Sequence, residues 1–204
     1  DIRYVSIALV IGGYQPRTPA EVVASGFGDC KDKATLFVAA LRLLGFDAVT
    51  VLASSSGGVD RALPSMEQFD HAIAYVSLPE GRVYTDLTVA LLPLGLLPPA
   101  LQGEFGLAVP ARGAAEELTF PEETPAERLS LIELSGRLDA DGRFHGAYAE
   151  EMTGSRQWEL REAFETPMDS ALAWKAAWMA GRTLQTTVPI RSTTVENSRV
   201  RVYC

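Results

Sequence analysis

The chain is short of the residues on which disulfide frameworks and metal clusters depend: its 204 residues include only 2 cysteines and 2 histidines. A bridge between Cys30 and Cys204 would close nearly the whole chain and consume the cysteine with the more reactive setting, so no structural disulfide is expected. No histidine and cysteine spacing matches a metal motif, and no metal ligands are expected. Basic clusters are lacking as well. The 18 lysines and arginines are outnumbered by 26 acidic residues, and the net charge of −8 argues against nucleic acid or an anionic membrane surface as partner. No apolar run is long enough to cross a bilayer as a helix. The most apolar stretch, from Thr88 to Gly103, is broken by Pro93, Gly95, Pro98 and Pro99 and reads as a buried irregular connection. The first residues given do not read as a signal peptide. Because the chain opens on Asp1 and directly in strand-like residues, a piece of a longer protein with flanking domains is expected. What remains, 47% hydrophobic and 22% charged, is a globular composition sufficient for one large or two modest domains.

The most informative stretch is Gly26 to Asp47, GFGDCKDKATLFVAALRLLGFD. Gly26 and Gly28 permit a tight turn, Asp29 is a good N-cap, and Asp32 stands where the reciprocal side chain of a capping box belongs. The helix therefore starts at Cys30 and stops at Gly45. Ala34, Phe37, Val38, Leu41 and Leu44 share the Cys30 face, while Lys31, Thr35 and Arg42 lie on another, so the sulfur is directed toward a buried seam. The unpaired amides and dipole of a helix N-terminus favour a thiolate, the form of cysteine that acts as nucleophile. A free cysteine is otherwise a small buried hydrophobe, and the choice depends on whether a base lies nearby.

His71 opens the alternating run HAIAYVSL, and Asp86 lies in the next run, VYTDLT. The two runs read as a hairpin about Pro79, Glu80, Gly81 and Arg82. Pairing Leu78 with Val83 across a four-residue loop puts His71 and Asp86 on one face but four residues out of step. A tighter turn or a bulge is needed to bring them diagonal.

GDCKDKA, a histidine at the start of a strand after QFD, and the aspartate of YTDLT together resemble the transglutaminase-like superfamily, and more narrowly a bacterial multidomain branch of it. The similar segment runs from about Arg3 to Val109. The resemblance implies a Cys30 nucleophile, His71 as general base and acid, and Asp86 orienting and supporting the imidazolium. The family more often has asparagine before the histidine and Asp-Pro-Thr at the third position, where this chain has Asp70 and Asp86-Leu87-Thr88. The resemblance also favours a periplasmic or secreted setting and implies no cofactor. The expected oxyanion donors are the Cys30 amide and, as candidates from the turn GGYQP, Tyr14 or Gln15, the alternative being a turn tyrosine that packs on the core.

Elsewhere, Ile2 to Ile11 reads as a strand. Thr18-Pro19-Ala20-Glu21 caps and starts a short helix ending at Gly26, and Asp47 to Ala53 is a buried strand. Ser54 to Ala62 is a surface loop that either borders a cleft or merely connects. Residues 113–128, rich in glutamate with Pro121 and Pro125, read as an exposed linker between a core over 1–112 and an accessory domain over 129–204. The accessory domain begins with a hairpin about Asp139-Ala140-Asp141-Gly142, which lacks the spaced ligands of a calcium loop. His145 reads as a surface strand residue. Ser155 to Arg182 has a helical pattern that places Trp174 and Trp178 on one face, and one or two strands close the chain.

The expected fold is α+β, with a papain-like core in which the cysteine helix packs on an antiparallel sheet bearing His71 and Asp86, followed by a smaller strand-rich domain with a long helix. The expected chemistry is thiol-dependent acyl transfer on peptide or glutamine-type amides, with hydrolysis favoured. Protein crosslinking by a transglutaminase is the alternative within the enzyme class, and a catalytically silent binding module the alternative outside it.

Overall fold

The computed structural model describes residues 2–6, 13–141, 144–158, 161–162, 192–196 and 199–203. The chain divides into two compact units, Asp1–Glu122 and Glu123–Cys204.

The first unit begins with β1 (Arg3–Tyr4), α1 (Pro19–Ser25), β2 (Phe27–Gly28) and α2 (Cys30–Leu43). Each helix starts where local chemistry dictates. Thr18 and Glu21 form a capping box on α1, Pro19 occupies its first turn, and Gly26 ends it in the left-handed region at φ 71°. Asp29 and Asp32 form the capping box of α2. β1 runs parallel to β2, with Arg3 opposite Phe27 and Tyr4 opposite Gly28. Of the strand expected over residues 2–11, the ladder takes only Arg3 and Tyr4; residues 7–12 lie outside the described residues.

β3 (Asp47–Ala53), β4 (His71–Leu78), β5 (Gly81–Thr85), β6 (Phe105–Val109) and β7 (Glu116–Thr119) form an antiparallel sheet in the order β5-β4-β3-β6-β7. Strand alternation divides the core in two. Ala48, Ala74 and Val76 meet Val38 of α2, with Phe37 and Leu41 packed alongside. On the other face Val49, Val51, Ile73, Tyr75 and Tyr84 meet Leu97 and Leu101 of the proline-broken connection together with Phe120. That connection is thus the second cover of the sheet, held by two leucines that are each 2% exposed. Leu44, assigned to the buried face of α2 from periodicity, is exposed because the helix has ended and the chain turns through Gly45 at φ 87°.

Within residues 113–128, read from composition as a linker, Glu116–Thr119 form the edge strand β7. Leu118 packs against the core and Phe120 is buried, whereas Glu116 and Glu117 are exposed. Charged side chains on an edge strand protect it from pairing further, and here they resemble linker composition.

In the second unit, β8 (Ser130–Leu138), β9 (Phe144–Met152), β10 (Ser192–Glu196) and β11 (Arg199–Tyr203) form an antiparallel sheet in the order β10-β11-β9-β8. The expected hairpin is present, with Leu138 opposite Phe144 and Arg137 opposite His145. The two closing strands pair with each other, Glu196 opposite Arg199. Most of the helix expected over 155–182, with Trp174 and Trp178, lies outside the described residues, as does Cys204.

Candidate active site

The start of α2 is held from three sides. Gly28 approaches the helix so closely that a Cβ there would lie 2.8 Å from the Asp32 Cβ and 3.3 Å from a Val22 methyl. Asp29 accepts from the Asp32 amide at 3.1 Å and forms an ion pair with Lys31. Asp32, only 2% exposed, does more than cap: it accepts from the Arg17 amide at 2.8 Å and from Arg17 Nε at 2.9 Å. Burial opposes its charge, and the two Arg17 bonds outweigh that and hold its carboxyl below the ordinary range. Arg17 also donates to the Phe27 carbonyl at 2.6 Å and stacks 4.7 Å from the Phe27 ring. The turn that carries Tyr14 and the strand that delivers Cys30 are therefore tied to one guanidinium.

His71 opens β4, and Asp86 directly follows the neighbouring strand β5. The hairpin turn is tighter than its composition suggests: Leu78 pairs with Gly81, at φ 134°, across only Pro79 and Glu80. Continuing that register past Ala74 and Thr85 sets Asp86 opposite Ile73, on the His71 face and diagonal to it. The contact is made, with His71 Nε2 2.8 Å from Asp86 Oδ2 and the side chains 13% and 3% exposed. The other carboxylate oxygen accepts from the Thr88 amide at 2.9 Å and from Thr88 Oγ1 at 2.7 Å. Leu87 in place of a proline thus leaves intact the threonine contacts that orient the carboxylate.

Burial opposes a charge on His71, but the hydrogen bond to Asp86, a hydrogen bond with Cys30 and the charges of both push its pKa up to about 10. Asp86 is penalised by burial too, and His71 followed by Thr88 holds its carboxyl below the ordinary range. With Nε2 engaged by Asp86, the other ring nitrogen is the one left for the Cys30 sulfur.

These side chains open onto a pocket of about 220 Å³, lined by Cys30, His71, Asp29, Asp70, Tyr4 and Tyr14 among others. Asp70 is fixed there by Ser55, whose amide and hydroxyl donate to its two oxygens at 2.6 and 2.7 Å, tying the 54–62 loop to the start of β4. Of the two side chains expected as oxyanion donors, Tyr14 lines the pocket at 63% exposure, and Gln15 is exposed and not part of its lining.

Two further residues went unnoticed in the sequence. Tyr4 lines the pocket because β1 pairs with the strand just before Cys30. Burial raises its hydroxyl pKa, a bond to Ser6 acts oppositely, and the charges of Cys30, Asp29 and Asp86 add to the rise. Lys33, one turn beyond Cys30, has its pKa lowered by burial, against the pull of the Asp86 charge. Neither has a local sequence signal, since both depend on what the fold sets opposite them. Among the described residues no cluster of histidine, cysteine and carboxylate side chains suits a metal ion.

No curated protein and no solved structure matches the chain. Residues 4–85 match the family model of the transglutaminase-like superfamily, a span that runs from Tyr4 in β1 through both helices and the hairpin to the residue before Asp86. That match, with a cysteine helix packed on an antiparallel sheet, makes this part of the chain similar to the transglutaminase-like superfamily and gives it an α+β core of that kind.

Proposed function

We propose that the protein is a thiol-dependent acyl-transfer enzyme in which Cys30, His71 and Asp86 act as nucleophile, acid-base and orienting carboxylate. One observation carries the reading. His71 lies between Cys30 and a buried carboxylate, its Nε2 2.8 Å from Asp86, beside a pocket large enough to admit an amide.

In the proposed cycle the Cys30 thiolate adds to the carbonyl carbon of a carboxamide, and the oxygen takes the negative charge. The Cys30 amide, in the first turn of α2 where backbone N–H groups have no intrahelical partner, is one donor to that oxygen. The Tyr14 and Tyr4 hydroxyls, both in the pocket lining, are the side-chain donors assigned to it. The C–N bond then breaks as imidazolium His71 gives its proton to the departing nitrogen, leaving a thioester on Cys30 and ammonia or an amine. Neutral His71 next takes a proton from water as its oxygen attacks the thioester, which releases a carboxylic acid and restores the thiolate and imidazolium pair. Asp86 holds the ring and supports its charge in both halves. The chemistry requires no cofactor.

Hydrolysis is favoured over transfer to an amine because the pocket is open to water at the exposed Tyr14. Incubation with a glutamine-containing peptide, with and without a primary amine, tests the reading. Ammonia or peptide release unaffected by the amine supports the hydrolase, incorporation of the amine supports a crosslinking transglutaminase, and no turnover leaves a silent binding module.

A further inference from the structure

We infer that a second pocket, beside the one that holds Cys30, receives a large apolar side chain of the substrate next to the amide under attack. The inference rests on the proposed acyl-transfer reading for what the occupant is. It rests on separate observations for the pocket itself.

This pocket has a volume of about 380 Å³, within the range of roughly 300–1,000 Å³ typical of ligand sites. Met66 and Phe69 line both it and the Cys30 pocket, so the two cavities share one wall. Phe69 precedes His71 by two residues at the start of β4, and two extended residues span about 6.6 Å. A substrate whose carbonyl sits against Cys30 and His71 therefore has its neighbouring residue at this wall.

The chemistry of the second pocket selects against a charged occupant. Its apolar lining is Val59, Pro64, Met66, Phe69, Phe105 and Leu107. Each nearby charge has a use. Arg61 is paired with Glu117 and lies 5.5 Å over the Phe105 ring, and the Asp60 carboxylate accepts from the Ala62 amide at 2.9 Å. Gln68 is also committed: its carbonyl accepts from the Asp60 amide at 2.7 Å, and its amide donates to the Asp60 and Leu63 carbonyls at 3.1 and 2.5 Å. These bonds hold the 60–63 loop at one shape, so the pocket is preformed and its polar groups are already partnered. The rings of Phe69 and Phe105, 6.4 Å apart, add faces and edges that suit an aromatic side chain best.

The test compares acetyl-Phe-Gln-Phe-amide with acetyl-Ser-Gln-Ser-amide in two measurements. The first is turnover by the full chain. The second is calorimetric binding to the Cys30→Ala protein, which needs no chemistry. The phenylalanine peptide is expected to have a kcat/KM about tenfold or more above that of the serine peptide, and to bind correspondingly tighter. Val59→Trp in the loop and Leu107→Trp in β6 each fill the pocket, and each is expected to reduce that preference about tenfold. Their melting curves identify any that fails to fold, and the two sites lie on different elements. Turnover of both peptides at equal efficiency overturns the subsite and leaves the acyl-transfer reading standing. Absence of turnover with tryptophan-sensitive binding keeps the pocket and overturns the reaction, and absence of both overturns both.

Discussion

His71 Nε2, at the start of β4, and Asp86 Oδ2, one residue past the end of β5, stand 2.8 Å apart across a hairpin with a two-residue turn, and Thr88 holds the second oxygen of that carboxylate. The carboxylate is buried, the ring is partly so, and the ring is shared with Cys30. A carboxylate so placed fixes the tautomer and stabilises the charged ring, and each of these effects can be removed separately.

Asp86→Asn keeps the size and most of the packing but removes the charge. The rate of amide turnover should fall by orders of magnitude, toward the ~10⁴ found when a triad carboxylate is neutralised in other enzymes. Cys30 should still be labelled by iodoacetamide. An unchanged rate would show that Asp86 only packs.

Thr88→Val removes the hydroxyl bond and keeps the amide bond to the same oxygen. Loss of one hydrogen bond to a charged group should cost about 1.5 kcal/mol, or roughly tenfold in kcat/KM, with KM nearly unchanged. A rise in KM alone would place Thr88 in substrate binding instead.

Stability should depend on pH through the same pair. The folded pKa of His71 is raised from 6.5 to about 10, so its contribution is complete below pH 6.5 and disappears as pH rises through about 10. Asp86 has the opposite sign: its depressed value means a contribution present above pH 3.8 and lost as pH falls. Urea midpoints of the native protein and of His71→Gln, measured between pH 6 and 10, should converge with rising pH. Parallel curves would mean that His71 gains nothing from its partners.

Gly28→Ala should damage activity more than its size suggests. The added Cβ would meet the Asp32 Cβ at 2.8 Å, and relief of that contact displaces the N-terminus of α2 and Cys30 with it. A destabilisation of about 1–3 kcal/mol is expected, with a larger proportional loss of turnover. Gly26→Ala is a different case: a Cβ there meets nothing within 4 Å, and the cost comes from its left-handed φ of 71°.

What could be read from the sequence was what is local. The start of α2 follows from Asp29, Asp32 and the preceding glycines, all within one turn, and the parity of His71 and Asp86 follows from strand alternation. Their contact did not follow, because it depends on turn length. Pro79-Glu80-Gly81-Arg82 is turn-like throughout, yet Gly81 already pairs with Leu78. Arg17, Tyr4 and the buried role of Asp32 escaped notice because their partners lie across the fold: the Arg17 bonds to Asp32 join residues 15 apart. β7 was hidden by its own glutamates. A charged edge strand and a charged linker have the same composition, and only Leu118 and Phe120 distinguish them.

If Cys30 is the nucleophile, its sulfur becomes acylated during turnover of a glutamine-containing peptide amide, and intact-mass spectrometry reads this directly. A transient species heavier than the free protein by the peptide acyl group less one hydrogen is expected, mapped to Cys30 by digestion. It should be absent in Cys30→Ala, should decay in water, and should accumulate in Asp86→Asn if deacylation is slowed more than attack. Turnover by the Cys30→Ala protein at the native rate, with no acylated species at any time, would contradict that role for Cys30.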